Sequence, residues 1–150
     1  AMLAWFTATV WTIILTNLGK LYAGRERPDY QARVDPKTHI ADADASESFP
    51  SGHSSWSFAT MVVVSLYLCG KFGLFRRNGG HSWRVIASLW PIFASSLIAM
   101  SRTRDYHHNF ADIVAGSLIG AGFGAFSYFL YFRPLTSEAC AIPKIRKTTF

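Results

Sequence analysis

Among the polar residues of three short blocks in an otherwise apolar chain, two histidines, an aspartate, two arginines and a lysine have the types and spacing to do chemistry together. The first block, Lys20 to Pro28, reads KLYAGRERP; the second, Pro50 to His53, reads PSGH; the third, Ser101 to Asp112, reads SRTRDYHHNFAD. Arginine offers an anion two parallel hydrogen bonds and lysine a compact point charge, so Lys20, Arg27 and Arg102 are candidate holders of phosphoryl oxygens. Ser51, Gly52 and His53 fall where a helix should start, and its free amides and positive dipole end favour an anion. Gly52 lets that anion approach the backbone. His108 and Asp112 are four residues apart at the head of a predicted helix, so both are expected on one face. A carboxylate there keeps one imidazole nitrogen protonated and leaves the other free as nucleophile or base. His53, as an imidazole titrating near neutrality, suits a proton donor to a departing oxygen. The chemistry these residue types describe is phosphoryl transfer.

Taken singly, each block has a plainer reading. PSGH is also an N-cap and turn, the cations are also interfacial anchors snorkelling to headgroups, and HxxxD is also a helix-start hydrogen bond. Their combination favours the site. His107, His39 and His81 are read as uninvolved. His107 points about 100° from His108 if the helix has begun, His39 belongs to the long loop, and His81 to the loop on the opposite side.

The elements that must hold these groups follow from where charge is absent. All fifteen Lys and Arg and all nine Asp and Glu fall within residues 20–47, 71–84, 102–112 and 133–147. Between them lie Ala1 to Gly19, Pro50 to Gly70, Val85 to Ser101 and Ile113 to Phe132. A hydrocarbon core about 30 Å thick takes roughly 17 to 25 helical residues to cross, so the pattern predicts an all-α bundle of four transmembrane helices. A water-soluble helical protein would need polar helix faces. IVAGSLIGAGFGAFSYFLYF has none, and Gly116, Gly120 and Gly124 carry the small-residue spacing of close membrane packing. The first helix is expected to end near Lys20, the third, despite Pro91, at Ser101, and the fourth to begin near His107.

Charge also orients the chain. Loop 71–84 holds four basic residues and no acid, and residues 133–150 form a basic tail, so both are expected in the cytoplasm; loop 20–47, with five basic and six acidic residues, goes to the other face. The three polar blocks then emerge on the lumenal or extracellular side and both termini of the chain on the cytoplasmic side. The basic residues form no stripe for nucleic acid. Cys69 and Cys140 are read as unbridged thiols on the reducing side. The start, Ala1 before Met2 inside an apolar run, lacks the marks of a cleavable signal peptide and reads as the continuation of an upstream part.

In order and spacing, KxxxxxxRP, PSGH and SRxxxxxHxxxD resemble the signature of the type 2 phosphatidic acid phosphatase (PAP2) and vanadium haloperoxidase superfamily, matched here at Lys20, Arg27 and Pro28; Pro50, Ser51, Gly52 and His53; and Ser101, Arg102, His108 and Asp112. GRERPDYQAR, FPSGHSSWSFA and SRTRDYHHNFADIVAGSLIG are similar to the lipid phosphate phosphatase branch, especially its fungal and plant members acting on phosphatidate and diacylglycerol pyrophosphate. The resemblance implies a phosphatase core over residues 1–132, corresponding to helices three to six of a six-helix bundle. It implies a metal-independent and cofactor-free enzyme in which His108 attacks phosphorus, Asp112 orients it and His53 protonates the leaving group. Lys20, Arg27, Ser51, Gly52 and Arg102 would hold the phosphoryl oxygens. The partners expected are a lipid phosphate and the membrane, with a second copy of the chain left open. Two alternatives stand beside this reading: a haloperoxidase-like enzyme holding vanadate as a phosphate mimic, and a non-catalytic lipid-phosphate-binding membrane protein.

Overall fold

The computed structural model describes residues 1–35, 38, 41–76, 81–140 and 142–144. Among them are four α-helices and no β-strand: α1 Met2–Ala23, α2 Gly52–Phe72, α3 Ser82–Arg104 and α4 Phe110–Tyr131. All four are long and apolar enough to cross a membrane, as expected of a chain that integrates into a bilayer. Consecutive helices run in opposite directions, so the C-terminal ends of α1 and α3 and the N-terminal ends of α2 and α4 share one end of the bundle. The three polar blocks meet there.

Small and hydroxyl-bearing residues fill much of the interior, with Val63, Tyr128 and Phe132 in its apolar core, and large apolar side chains cover the outside. Thr12, Thr16, Ser54, Ser55, Ser57, Ser95 and Ser127 are buried, whereas Phe6, Trp11, Leu89, Trp90, Phe93, Leu118 and Phe126 are exposed. In water that arrangement would be unfavourable; among lipid tails the large side chains are solvated and small residues let backbones approach. Helix α2 is central and packs on α1, α3 and α4; α3 meets α4 only lightly. The α2 and α4 contact is set by glycine. A Cβ on Gly116 would lie 2.5 Å from the Ser51 carbonyl oxygen, one on Gly124 2.7 Å from that of Ala59, and one on Gly120 would overlap the Ser55 carbonyl. Between α2 and α3, the Ser95 hydroxyl, one turn beyond Pro91, donates to the Ser57 and Pro91 carbonyls at 3.1 and 3.2 Å.

Three helix limits differ from the sequence reading, each for a local reason. Helix α1 continues past Lys20 to Ala23, where Gly24, in the left-handed region at φ 52°, returns its N–H to the Lys20 carbonyl. Helix α3 continues past Ser101 to Arg104, placing Arg102 in its last turn. Helix α4 starts at Phe110 rather than near His107, because Asn109 forms a capping box with Asp112. At the far end, residues 133–140 and 142–144 fold back on the bundle. The Lys144 N–H donates to the Tyr131 carbonyl, and the buried Cys140 thiol lies 3.4 Å from the Gly70 carbonyl. Cys69 and Cys140 are both free.

The segment between α1 and α2 carries two 3-10 turns, Tyr30–Arg33 and Ala43–Ser46. Its return is stitched to its start: the Arg27 N–H donates to the Ala45 carbonyl at 2.8 Å and the Ser48 N–H to that of Arg25 at 2.9 Å. Arg27, Arg33 and Asp44 of this segment thereby stand at the end of the bundle where the polar blocks meet.

Candidate active site

The convergence of helix ends builds a cavity of about 410 Å³ lined by Lys20, Arg27, Arg33, Asp44, Gly52, His53, Trp56, Arg102, His107 and His108. Lys20 comes from the last turn of α1, Gly52 and His53 from the first turn of α2, and Arg102 from the last turn of α3. His108 stands just before α4. The close approach of α2 and α4 brings the two histidines to one cavity, and the Ser51 N–H donating to the Asp112 carbonyl at 3.0 Å ties the two helix starts together.

His108 is buried, and its Nδ1 lies 2.8 Å from the Ser48 carbonyl oxygen. A carbonyl only accepts, so Nδ1 carries the proton and Nε2 keeps a free lone pair. Burial pushes the His108 pKa down to about 4; the Ser48 carbonyl and Asp112 oppose that fall, while the Arg27 and His53 charges add to it. Near neutral pH the ring is therefore an uncharged base, as a nucleophile must be.

Asp112 is fully buried and does not stand where the HxxxD spacing suggested. His108 precedes the N-cap, so the two side chains do not share a helix face. Asp112 Oδ1 accepts from Arg25 Nη1 at 2.8 Å; Oδ2 accepts from the Ser48 hydroxyl at 2.5 Å and the Asn109 N–H at 2.9 Å. Its link to His108 runs through Ser48, whose hydroxyl it holds and whose carbonyl holds the imidazole. Ser51 stands behind the cavity surface. It is fully buried as the N-cap of α2, its hydroxyl within 3.1 Å of that of Ser54, and it is absent from the cavity lining. Lys20, Arg27, Gly52, His53, Arg102 and His108 do line it.

His107, read from sequence as pointing away, lines the cavity too. The chain turns at Tyr106, at φ 55° in the left-handed region, so no helical offset separates the two rings. Arg33 Nη2 lies 3.1 Å from His107 Nδ1, which must accept because a guanidinium only donates. His81 sits at the N-cap of α3, at the opposite end of the bundle, and His39 lies outside the described residues.

Each cation of the cavity meets an acid. Arg27 Nη2 lies 2.7 Å from Asp44 Oδ1, and its Nε donates to the Asp44 carbonyl at 2.8 Å. Lys20 is 3.7 Å from Glu47, Arg102 is 3.2 Å from Asp105, and Arg33 is 2.8 Å from Asp29. Burial disfavours the charge on Asp29, but the hydrogen bond and charge of Arg33 outweigh it and hold that carboxyl below its ordinary value. Sequence reasoning missed Arg25, Arg33, Asp44 and Ser48. The two arginines were visible as charges, but nothing in residue type announces a main-chain carbonyl such as that of Ser48.

Residues 1–135 match the PAP2 superfamily. The chain is 47% identical to a PA-phosphatase related-family protein of Dictyostelium discoideum, covering 97% of this chain and 54% of the relative. It is 38% identical to lipid phosphate phosphatase 1 of Arabidopsis thaliana, over 81% of this chain and 41% of that protein. It is 34% identical to diacylglycerol pyrophosphate phosphatase 1 of Saccharomyces cerevisiae, over 89% of this chain and 50% of that protein. The chain thus spans about half the length of the curated relatives it matches. No solved structure matches it significantly. A four-helix membrane bundle whose three polar blocks close on one cation-lined cavity, matched over nearly its whole length by the family, belongs to the PAP2 superfamily.

Proposed function

We propose that the protein is a membrane lipid phosphate phosphatase, removing phosphate from lipid phosphomonoesters or pyrophosphates such as phosphatidate, lysophosphatidate and diacylglycerol pyrophosphate. The observation that carries the reading is a buried imidazole with a free Nε2 in a cavity lined by Lys20, Arg27 and Arg102 with His53. The names of the plant and yeast relatives support the same class.

In the proposed reaction the Nε2 lone pair of His108 attacks phosphorus. An N–P bond forms as the bond from phosphorus to the leaving oxygen breaks, and that oxygen takes its electron pair and a proton from His53. Water then attacks the phosphohistidine, giving its proton to His53; the N–P bond breaks, its pair returns to Nε2, and inorganic phosphate leaves. The Ser48 carbonyl, accepting from Nδ1, steadies the positive charge the ring gains in the intermediate. Lys20, Arg27 and Arg102 offset the charge gathering on the phosphoryl oxygens, the main protein contribution to such transfers. Gly52 leaves the α2 N-terminus open to the same oxygens. The step involves no metal ion.

By the distribution of basic residues the cavity faces the lumen or cell exterior, with both termini of the chain in the cytoplasm. The exposed apolar flanks of the bundle give a lipid lateral access to it.

The test is inorganic phosphate release from phosphatidate and diacylglycerol pyrophosphate in detergent micelles with excess EDTA, comparing the chain with His108→Ala. EDTA-resistant release that the substitution abolishes supports the proposal. Release retained by a folded His108→Ala protein, or dependent on added magnesium, overturns this mechanism.

A further inference from the structure

We infer that Arg33, held in place by Asp29 and His107, recognises a second phosphate adjoining the one attacked, and that this arm of the cavity selects lipid pyrophosphates over lipid monophosphates. The inference rests on the phosphatase reading above for which phosphoryl group reacts.

The cavity has an inner and an outer tier. His108 is 3% exposed and the Arg27 side chain 9%, and those of Lys20, Arg33, Arg102 and His107 rise from 17% to 37%. It is Lys20, Arg27 and Arg102, not Arg33, whose charges act on His53 or His108. Lys20, Arg27 and Arg102 suffice for the oxygens of one phosphoryl group against His108. Arg33 is then a fourth cation in the same cavity with no oxygen of that group assigned to it. Its orientation is fixed before any ligand arrives: Nε donates to Asp29 at 2.8 Å and Nη2 to His107 at 3.1 Å, while the longer contact of Nη1, 3.4 Å to Asp44, is the one a ligand could replace. A guanidinium immobilised in this way loses little freedom when it binds.

What Nη1 meets there is informative. Asp44 places Oδ1 on Arg27 at 2.7 Å and Oδ2 on Arg33 Nη1 at 3.4 Å, so one anion spans the inner and outer guanidinium groups. The Asp44 side chain is 54% exposed, and an exposed ion pair is weak and exchangeable. The two phosphates of a pyrophosphate share one bridging oxygen, so they too are adjacent anions. With the terminal phosphoryl group against His108 and Arg27, the second phosphate extends toward the mouth and takes the place of Asp44 on Arg33. It is also the leaving group of the attack, so holding it assists departure as well as binding. A monophosphate leaves that position to an uncharged ester oxygen.

The experiment compares kcat/KM for diacylglycerol pyrophosphate and phosphatidate of matched acyl chains in the full chain, Arg33→Ala and Arg33→Lys, alongside binding of inorganic pyrophosphate and inorganic phosphate to each. Arg33→Ala is expected to lower kcat/KM for the pyrophosphate lipid by about 10- to 100-fold, the scale of a charge-assisted hydrogen bond, and for phosphatidate by far less. Arg33→Lys should recover part of the difference. The preference for inorganic pyrophosphate over phosphate should fall in parallel. Equal losses on both lipids, or no loss on either, overturns the inference. If the unmutated chain turns over neither lipid, the phosphatase reading fails by itself, and the binding arm still decides: a pyrophosphate preference that depends on Arg33 supports the second anion site, and its absence overturns it.

Discussion

The imidazole of His108 is oriented by a main-chain group: Nδ1 donates to the Ser48 carbonyl at 2.8 Å, while the Ser48 hydroxyl donates to the buried carboxylate of Asp112. The carboxylate is thus linked to the histidine through a residue sixty positions earlier in the chain, and Arg25 completes the network from the other side.

Removing the middle of this network should separate its functions. Ser48→Ala keeps the carbonyl but loses the hydroxyl, and is expected to lower kcat for phosphate release about tenfold with little change in KM, at a stability cost of about 1 to 2 kcal/mol. Ser48→Thr should restore most of the activity. An unchanged kcat in Ser48→Ala would show that Asp112 does not act through this hydroxyl.

Arg25→Ala leaves the fully buried Asp112 carboxylate without its cation. Because Arg25 itself is 44% exposed, solvent screens part of the pair, and a destabilisation of about 1 to 3 kcal/mol is expected rather than the larger penalty of a wholly buried pair. Thermal unfolding in detergent measures it. A melting point equal to that of the unmutated protein would mean that water replaces the guanidinium at no cost.

The lowered pKa of His108 has two consequences with definite sign. In catalysis, the free base is needed, so kcat/KM should hold as pH falls below 6.5 and decline only toward about 4, provided His53 and the substrate are allowed for in the fit. In stability, the unfolded chain takes up a proton near 6.5 that the folded chain refuses until about 4, so stability is full above 6.5 and is lost as pH falls through that window. His108→Asn should flatten that part of the stability profile. A stability that rises on acidification over the same range would contradict the burial of a neutral ring.

Helix packing gives a prediction with an internal control. Gly120→Ala puts a methyl group onto the Ser55 backbone and should destabilise the bundle by about 1 to 3 kcal/mol. Gly122→Ala, whose Cβ would meet nothing within 4 Å, should be neutral or slightly stabilising. Similar effects at both positions would show that α2 and α4 do not pack through this glycine face.

Much of the molecule is legible in one dimension. A charge-free run of about twenty residues has few alternatives to a membrane helix, because a bilayer leaves its backbone no other hydrogen-bond partners, so the four spans could be read without a structure. The glycine spacing of α4 and the cavity-lining candidates Lys20, Arg27, Gly52, His53, Arg102 and His108 were legible for a similar reason: small residues inside apolar spans and charges beside them demand an explanation. What could not be read depends on how helix ends and the intervening segment meet in space. The Asn109 cap moved the start of α4 past His108 and so separated it from the face that carries Asp112. The turn at Tyr106 brought His107 into the cavity, and the return of residues 41–48 over the bundle supplied Asp44 and the Ser48 carbonyl. A main-chain carbonyl has the same chemistry at every residue, and an arginine in a connecting segment, such as Arg33, has many possible partners. Their positions depend on tertiary contacts that local residue type and spacing do not encode.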